Sequence, residues 1–201
     1  LLLMVDGDRG KNYPKRSEFF DSGYCLFLNT KNVRKDGFLF EEKAFIEKSK
    51  DESLRKGKLK RGDVVITTRG TIGNVALYDD SVNFDNVRIN SGMLILRPNT
   101  KRLLSDYLYE IIRSELFRRQ IREHVSGAAQ PQLPIKTLGS FSFPLPKDID
   151  LQSEMVEKIK GFEDFMTVLN KNYLRKIACL ESLKKSLLQK AFTGELIRAA
   201  G

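Results

Sequence analysis

A chain of 201 residues, 41% hydrophobic and with thirteen Phe, has enough apolar mass for a packed core and is not a disordered segment. Its 35 Lys+Arg against 26 Asp+Glu give a formal charge of +9 and a pI near 9.5. That balance argues against acidic partner surfaces being repelled and for a polyanion, either nucleic acid or an acidic membrane surface. The length allows one ordinary domain plus an extension, or two small domains.

The opening Leu1-Leu2-Leu3-Met4-Val5 is too short for a membrane span and lacks the basic flank of a signal peptide, so it reads as the end of a strand or helix. A polar loop follows, "DGDRGKNYPKR", with Arg9, Lys11, Lys15 and Arg16. "YCLFLNT" (24–30) predicts a strand, and "NTKNVRKDG" after it is a second cationic loop, with Lys31, Arg34 and Lys35. "DVVITT" (63–68) and "NVALYD" (74–79) predict a hairpin whose tip holds one long cation, Arg69, among threonines, glycines and Asn74. "GMLILRP" (92–98) predicts another strand.

Leu104, Leu108, Ile111, Ile112, Leu116 and Ile121 return at helical spacing and predict one helix over 103–123. Arg118, Arg119 and Arg122 lie close together on it. Glu115 and Glu123, four residues to either side of Arg119, make ordinary surface salt bridges the preferred reading of that group. "SGAAQPQLP" (126–134) then joins small residues to two glutamines able to hydrogen-bond a base edge.

At Phe143-Pro144-Leu145-Pro146 the texture changes, and from Leu151 to about Phe192 there is no proline and only one glycine, Gly161. Met155, Ile159, Phe162, Met166, Leu169 and Tyr173 alternate steps of four and three. After an extra four-step to Ile177, the pattern runs on through Leu180 and Leu187. A sustained 4-3 repeat marks a coiled coil, and the extra step is a stutter. About 40 residues at 1.5 Å each make ~60 Å, longer than a domain of ~150 residues is wide. The reading is an α+β domain over 1–148, built on a mixed sheet, followed by a long coiled-coil helix over 149–201 that needs a partner helix.

Residues 1–148 hold 26 Lys+Arg against 19 Asp+Glu, a net of +7, and the remainder 9 against 7, a net of +2. The basic excess therefore sits on the domain, which favours nucleic acid over membrane. Cys25 and Cys179, far apart and in apolar company, read as reduced core residues of a cytoplasmic protein.

Catalytic motifs are scarce. Asp36 and Glu41-Glu42-Lys43 only superficially resemble a metal-dependent nuclease core, and the single His124 has no second metal-ligating partner nearby. There is neither a phosphate-binding loop nor a glycine fingerprint, so no cofactor is expected.

Taken in order, "DGDRGKNYPK", "RGDVVITTRGTIGNVAL", "RINSGMLIL", "SGAAQPQLP" leading to "FSFPLP", and "ESLKKSLLQKAFTGEL" resemble one half of the specificity subunit of a type I restriction–modification enzyme. The resemblance implies a target recognition domain that reads half of a bipartite site in double-stranded DNA, followed by a spacer helix. It implies partners as well: methyltransferase subunits, motor-nuclease subunits for cleavage, and a second copy or second half of the specificity subunit paired through the helix. The chemistry would be left to those subunits. One recognition domain and one helix make this chain either a fragment or a half-length subunit that must dimerise.

The residues expected at DNA are Arg9, Lys11, Tyr13, Lys31, Asn32, Thr68, Arg69, Thr71, Asn74, Arg88, Asn90, Ser126, Gln130 and Gln132. Arg69 either reads a guanine or clamps a phosphate, and the sequence leaves both open. The alternative from another class is a non-enzymatic coiled-coil adapter whose basic domain binds protein or RNA.

Overall fold

The strands anticipated from apolar runs carry most of the fold. The protein's structure, a computed structural model, describes residues 1–125 and 132–194. In chain order the elements are β1 (Leu2–Asp6), β2 (Cys25–Leu28), β3 (Val33–Arg34), β4 (Gly37–Phe38), β5 (Phe45–Ile46) and α1 (Lys48–Ser53). Then come β6 (Asp63–Thr67), β7 (Val75–Tyr78), β8 (Val87–Ile89), β9 (Met93–Pro98), α2 (Ser105–Arg113), α3 (Glu115–Val125), α4 (Ile135–Gly139) and α5 (Ile149–Phe192). The chain divides into two compact units, residues 1–156 and the residues from Glu157 onward.

In the first unit, β1, β9, β6 and β7 lie side by side in that order, every pair antiparallel. All five residues of β6 are buried because both faces of this sheet are covered. Successive side chains of a strand point to opposite faces, so they serve two cores. Val64, Ile66, Leu94 and Leu96 pack with Leu108 and Ile112 of α2 and with Phe117 and Ile121 of α3. Val65, Ala76, Met93 and Ile95 pack instead with Leu26, Leu28, Val87 and Ile89. Those last four belong to a second sheet, ordered β5-β2-β8, in which β2 runs parallel to β8 and antiparallel to β5. β3 and β4 form a two-residue ladder of their own. The architecture is α+β, as the sequence implies.

The single helix expected over 103–123 is two helices. Ser114 leaves helical geometry (φ −65°, ψ 155°), and its hydroxyl donates to the Ile111 carbonyl at 2.6 Å, satisfying an acceptor at the end of α2. The break resets the helical phase. Phe117 and Ile121 of α3 enter the core, whereas Leu116, which the continuous periodicity places there, is 40% exposed.

α5 is one uninterrupted helix of 44 residues. Its first turns belong to the first unit. Gln152 is fully buried, accepts from the Leu104 amide at 2.9 Å, and donates to the Arg102 and Pro146 carbonyls at 3.0 and 2.8 Å. Val156 joins the core of the helical side. Past Val156 the helix turns apolar side chains outward: Phe162, Met166, Tyr173, Ile177, Leu180 and Leu187 of the expected seam are all exposed, and Ile159 and Leu169 are half-buried. Met155, where the seam begins, is also exposed.

One of the two cysteines differs from expectation. Cys25 is buried in the first unit, but Cys179 is exposed on α5 and is no core residue. Among the described residues no helix is long and apolar enough to cross a membrane.

Candidate nucleic-acid interface

The hairpin forms as its sequence predicts, with β6 and β7 paired from Asp63↔Tyr78 to Ile66↔Val75. Its tip is held by Thr67, whose hydroxyl donates to the Thr71 carbonyl and accepts from the Asn74 amide at 3.0 Å. Gly70 and Gly73 take φ of +70° and +84°, the left-handed region that side chains with a Cβ avoid. The ascending limb of the tip is clipped on two sides. The amides of Thr68 and Arg69 both donate to the Gly92 carbonyl, at 2.8 and 3.2 Å, and the Leu133 amide donates to the Thr68 carbonyl at 3.0 Å. Arg69 and Gln132 form an isolated β-bridge. Gly92 must be small, because a Cβ there would lie 2.8 Å from Thr30 Cγ2. A fixed backbone thus carries the exposed Arg69 and Thr71.

The first cationic loop folds against the same edge. A Cβ on Gly7 would sit 2.2 Å from the Asn90 carbonyl oxygen, so only glycine allows this approach. Asp8 braces the loop by accepting from the Gly10 and Arg55 amides, at 2.7 and 2.8 Å. Burial alone would raise the Asp8 carboxyl, but backbone hydrogen bonds from Gly10, Arg55 and Lys56 outweigh it and leave the pKa below its ordinary value. Arg9 bonds Asp6 and the Ser91 carbonyl, the latter at 3.2 Å, with its side chain about half exposed. Arg9, Arg69, Asp6, Gln132 and Lys136 line one cleft of about 320 Å³.

The remaining expected contacts divide. Lys11 is exposed, and Lys31 is exposed in an ion pair with Glu42 at 3.0 Å. Tyr13 is half-buried edge-on against Phe27; burial, opposed by hydrogen bonding to Ser91, raises its hydroxyl pKa. Asn90 is half-buried and its side-chain oxygen accepts from the Gly92 amide at 2.9 Å. Thr68 lies at the cleft but is only 7% exposed. Ser126 and Gln130 lie outside the described residues.

Three of the expected contacts are buried and bonded within the protein. Arg88 is 5% exposed; it pairs with buried Asp51 at 2.5 Å and donates to the carbonyls of Asp51, Leu54 and Lys56. Asn32 is buried, its amide nitrogen donating to the Leu39 and Glu42 carbonyls at 3.0 and 2.7 Å. Asn74 is buried too, and its amide nitrogen donates to the Val33 carbonyl at 2.9 Å. Each of these polar side chains satisfies buried backbone, and Asn74 also lines the cleft beside the hairpin tip.

Sequence reasoning missed two features. Lys136, just past the Gln-Pro loop, lines the first cleft. A second cleft of about 300 Å³ lies along the descending limb of the tip, where Thr71 and Gly73 meet Lys35, Arg118 and Arg122. The signal was present in the arginines flanking apolar Ile121 at i−3 and i+1, but surface ion pairs absorbed it. Those pairs exist, Arg122 with Glu115 and Arg119 with Glu123 at 3.8 Å, and they leave Arg118 out. Glu42 of the nuclease-like run is exposed and pairs with Lys31, and His124 bonds the Gln120 carbonyl at 2.8 Å.

Residues 5–178 match the family model described as type I restriction modification DNA specificity domain. Over 151 residues the chain is 25% identical to the type I restriction enzyme EcoBI specificity subunit of Escherichia coli, covering 75% of this chain and 31% of that protein. Over 201 residues it is 25% identical to the type I restriction enzyme MjaVIII specificity subunit of Methanocaldococcus jannaschii, covering 98% of this chain and 45% of that one. A solved structure concerned with complex assembly and conformational transition of the type I R-M system shares the fold, with a TM-score of 0.69 at 19% identity over 95% of this chain and 43% of that one. The HsdS subunit from Thermoanaerobacter tengcongensis does so with a TM-score of 0.59 at 17% identity, over 85% and 37%. The chain spans less than half the length of each of these relatives.

Proposed function

The chain belongs to the type I restriction modification DNA specificity domain family, and from that premise we propose that its first unit reads one half of a bipartite site in double-stranded DNA on behalf of methyltransferase and motor-nuclease subunits. The observation that carries this reading is the hairpin tip, where a backbone clipped to Gly92 and Leu133 presents Arg69 beside Arg9, Lys136 and Gln132. A long side chain on a fixed backbone loses less freedom on binding than one on a mobile loop. Arginine's planar fork matches guanine O6 and N7 together, and Gln132 adds a donor and an acceptor for a neighbouring base edge.

The chain carries no catalytic step in this reading. α5 is the spacer helix: the exposed seam from Met155 to Leu187 pairs with the helix of a second copy or of a second half. Phe165, Val168, Leu183 and Leu188 are exposed apolar residues off that seam, and they offer a methyltransferase subunit a surface beyond the helix pair.

The test is selection from a random duplex pool, followed by binding of the selected and a scrambled duplex across salt concentrations. A recognition domain prefers its selected duplex by about three decades or more, with log affinity falling linearly in log salt. Failure to enrich any sequence, with duplex binding no tighter than RNA binding, would favour the adapter reading.

A further inference from the structure

We propose that the second cleft, lined by Lys35, Arg118 and Arg122, grips a backbone phosphate of the duplex and so fixes the register in which Arg69 meets the bases. The proposal rests on the DNA-reading function above and adds a site to it. Three cations from two separate elements, the β3–β4 turn and α3, converge on about 300 Å³. No carboxylate lines that space. Like charges gathered round one cleft repel each other, weakly in water but without benefit, until an anion enters between them.

All three cations stand on parts locked to the hairpin tip. α3 is pressed onto the tip through Ile121, since a Cβ on Gly73 would lie 3.0 Å from Ile121 Cδ1. Arg118 and Arg122, four residues apart, share one face of α3 along the edge of the buried Ile121. The turn carrying Lys35 is tied to the tip by the bond from the Asn74 amide nitrogen to the Val33 carbonyl. The bond that commits the Asn74 amide nitrogen therefore also positions Lys35. Arg122 is oriented by its pair with exposed Glu115, whose carboxyl the hydrogen bond from Arg122 holds below its usual pKa. Lys35 and Arg118 are in no ion pair among the described residues, although Arg118 lies within the field of Glu115, which is bonded to Arg122; Lys35 and Arg118 are therefore the cations most open to a phosphate.

The contents of the two clefts separate their roles. The first combines cations with Asp6 and the amide of Gln132, groups able to discriminate donors from acceptors. The second offers three cations, the Thr71 hydroxyl, and an Asn74 whose amide nitrogen is already committed. That set suits a phosphate, which carries charge and no sequence.

The experiment uses the full chain and the double variant Lys35→Ala/Arg118→Ala, with the selected and the scrambled duplex measured across salt. Both affinities are expected to fall by the same factor, roughly tenfold at low salt, and the slope of log affinity against log salt to drop by about one. Preference for the selected duplex stays as it was. Lys35→Arg/Arg118→Lys, which keeps both charges, is expected to restore most of the affinity. A double variant that binds both duplexes as well as wild type, with the same slope, overturns the clamp and leaves the DNA-reading function standing. Loss of preference with scrambled-duplex binding unchanged also overturns it, by making these residues base readers. If wild type binds no duplex at all, the clamp and the reading beneath it both fail.

Discussion

The two units treat apolar side chains in opposite ways. Within residues 1–156, Val64, Val65 and Ile66 follow one another in sequence, and all three are fully buried because two cores share one sheet. From Glu157 on, Phe162 is 70% exposed, Leu174 67% and Phe192 88%. The first unit has already buried most of its core-forming side chains, though Leu3 and Phe20 stay exposed. The helix has its largest stabilisation still to gain, because each such side chain contributes about 1.5–3 kcal/mol when it leaves water. The exposed apolar side chains of α5 are those that the proposed helix pairing would bury.

The sharpest way to break this comparison is to charge the seam. Replacing Phe162 and Leu169 with Asp removes two knobs from the helix pair and buries two carboxylates in their place. The expected cost to self-association is at least ~5 kcal/mol, more than a thousandfold in dissociation constant. Sedimentation should show dimers becoming monomers or insoluble protein, while thermal unfolding of the first unit stays where it was. Wild type that sediments as a monomer at every concentration would sink the helix-pairing reading.

A second substitution tests the closed side of the comparison. Arg88→Ala strips buried Asp51 of one of its two cationic partners and leaves Lys58, also at 2.5 Å, and the Cys25 thiol to answer the charge. Removing one member of a buried pair costs about 3–5 kcal/mol, read as a lower midpoint in urea. Burial raises the Asp51 carboxyl, but hydrogen bonds from Lys58 and Arg88 outweigh it, so the native pKa lies below the ordinary value. A depressed carboxyl stabilises the fold above its unfolded pKa of about 3.9, and that contribution is lost as pH falls through the native value. Without Arg88 the native pKa rises toward or past the unfolded one, so acid unfolding should begin at higher pH. An unshifted acid midpoint would mean that Asp51 and Arg88 are not coupled. Self-association should be untouched.

Legibility in the sequence followed the same division. The helix could be read almost to its ends, because no proline lies between Leu151 and Phe192 and apolar residues keep helical spacing through the stutter at Tyr173–Ile177. The hairpin was legible from β-branched runs punctuated by Gly70 and Gly73. The break at Ser114 was not, since serine is no strong breaker and apolar residues continue at plausible spacing on both sides. Arg88, Asn32 and Asn74, expected at DNA, lie buried, and one shared reason kept that burial out of the sequence. A polar side chain that satisfies buried carbonyls looks, in sequence, identical to one that reaches for a ligand. Arg88 meets Asp51 across 37 positions of sequence, and no local pattern announces that pairing. Lys35 and Arg118 converge across a still longer stretch, which is why the second cleft appears only in three dimensions.

The smallest expected effect is the most specific. Arg69→Ala removes an exposed side chain whose backbone is held by Gly92, and whose loss leaves the ladder of β6 and β7 intact. Stability and self-association should therefore stay within experimental scatter of wild type. If Arg69 reads a guanine, the selected duplex binds about 1–3 kcal/mol more weakly, the scrambled duplex is barely affected, and tolerance broadens at one base pair. If it holds a phosphate instead, both duplexes weaken together and the salt slope falls by about one. Side by side with the Lys35→Ala/Arg118→Ala variant, the two outcomes separate cleanly: a reader changes preference at constant slope, and a clamp changes slope at constant preference. Binding to both duplexes unchanged by Arg69→Ala would reduce the hairpin to a structural element and move base reading to the Gln132 side of the cleft.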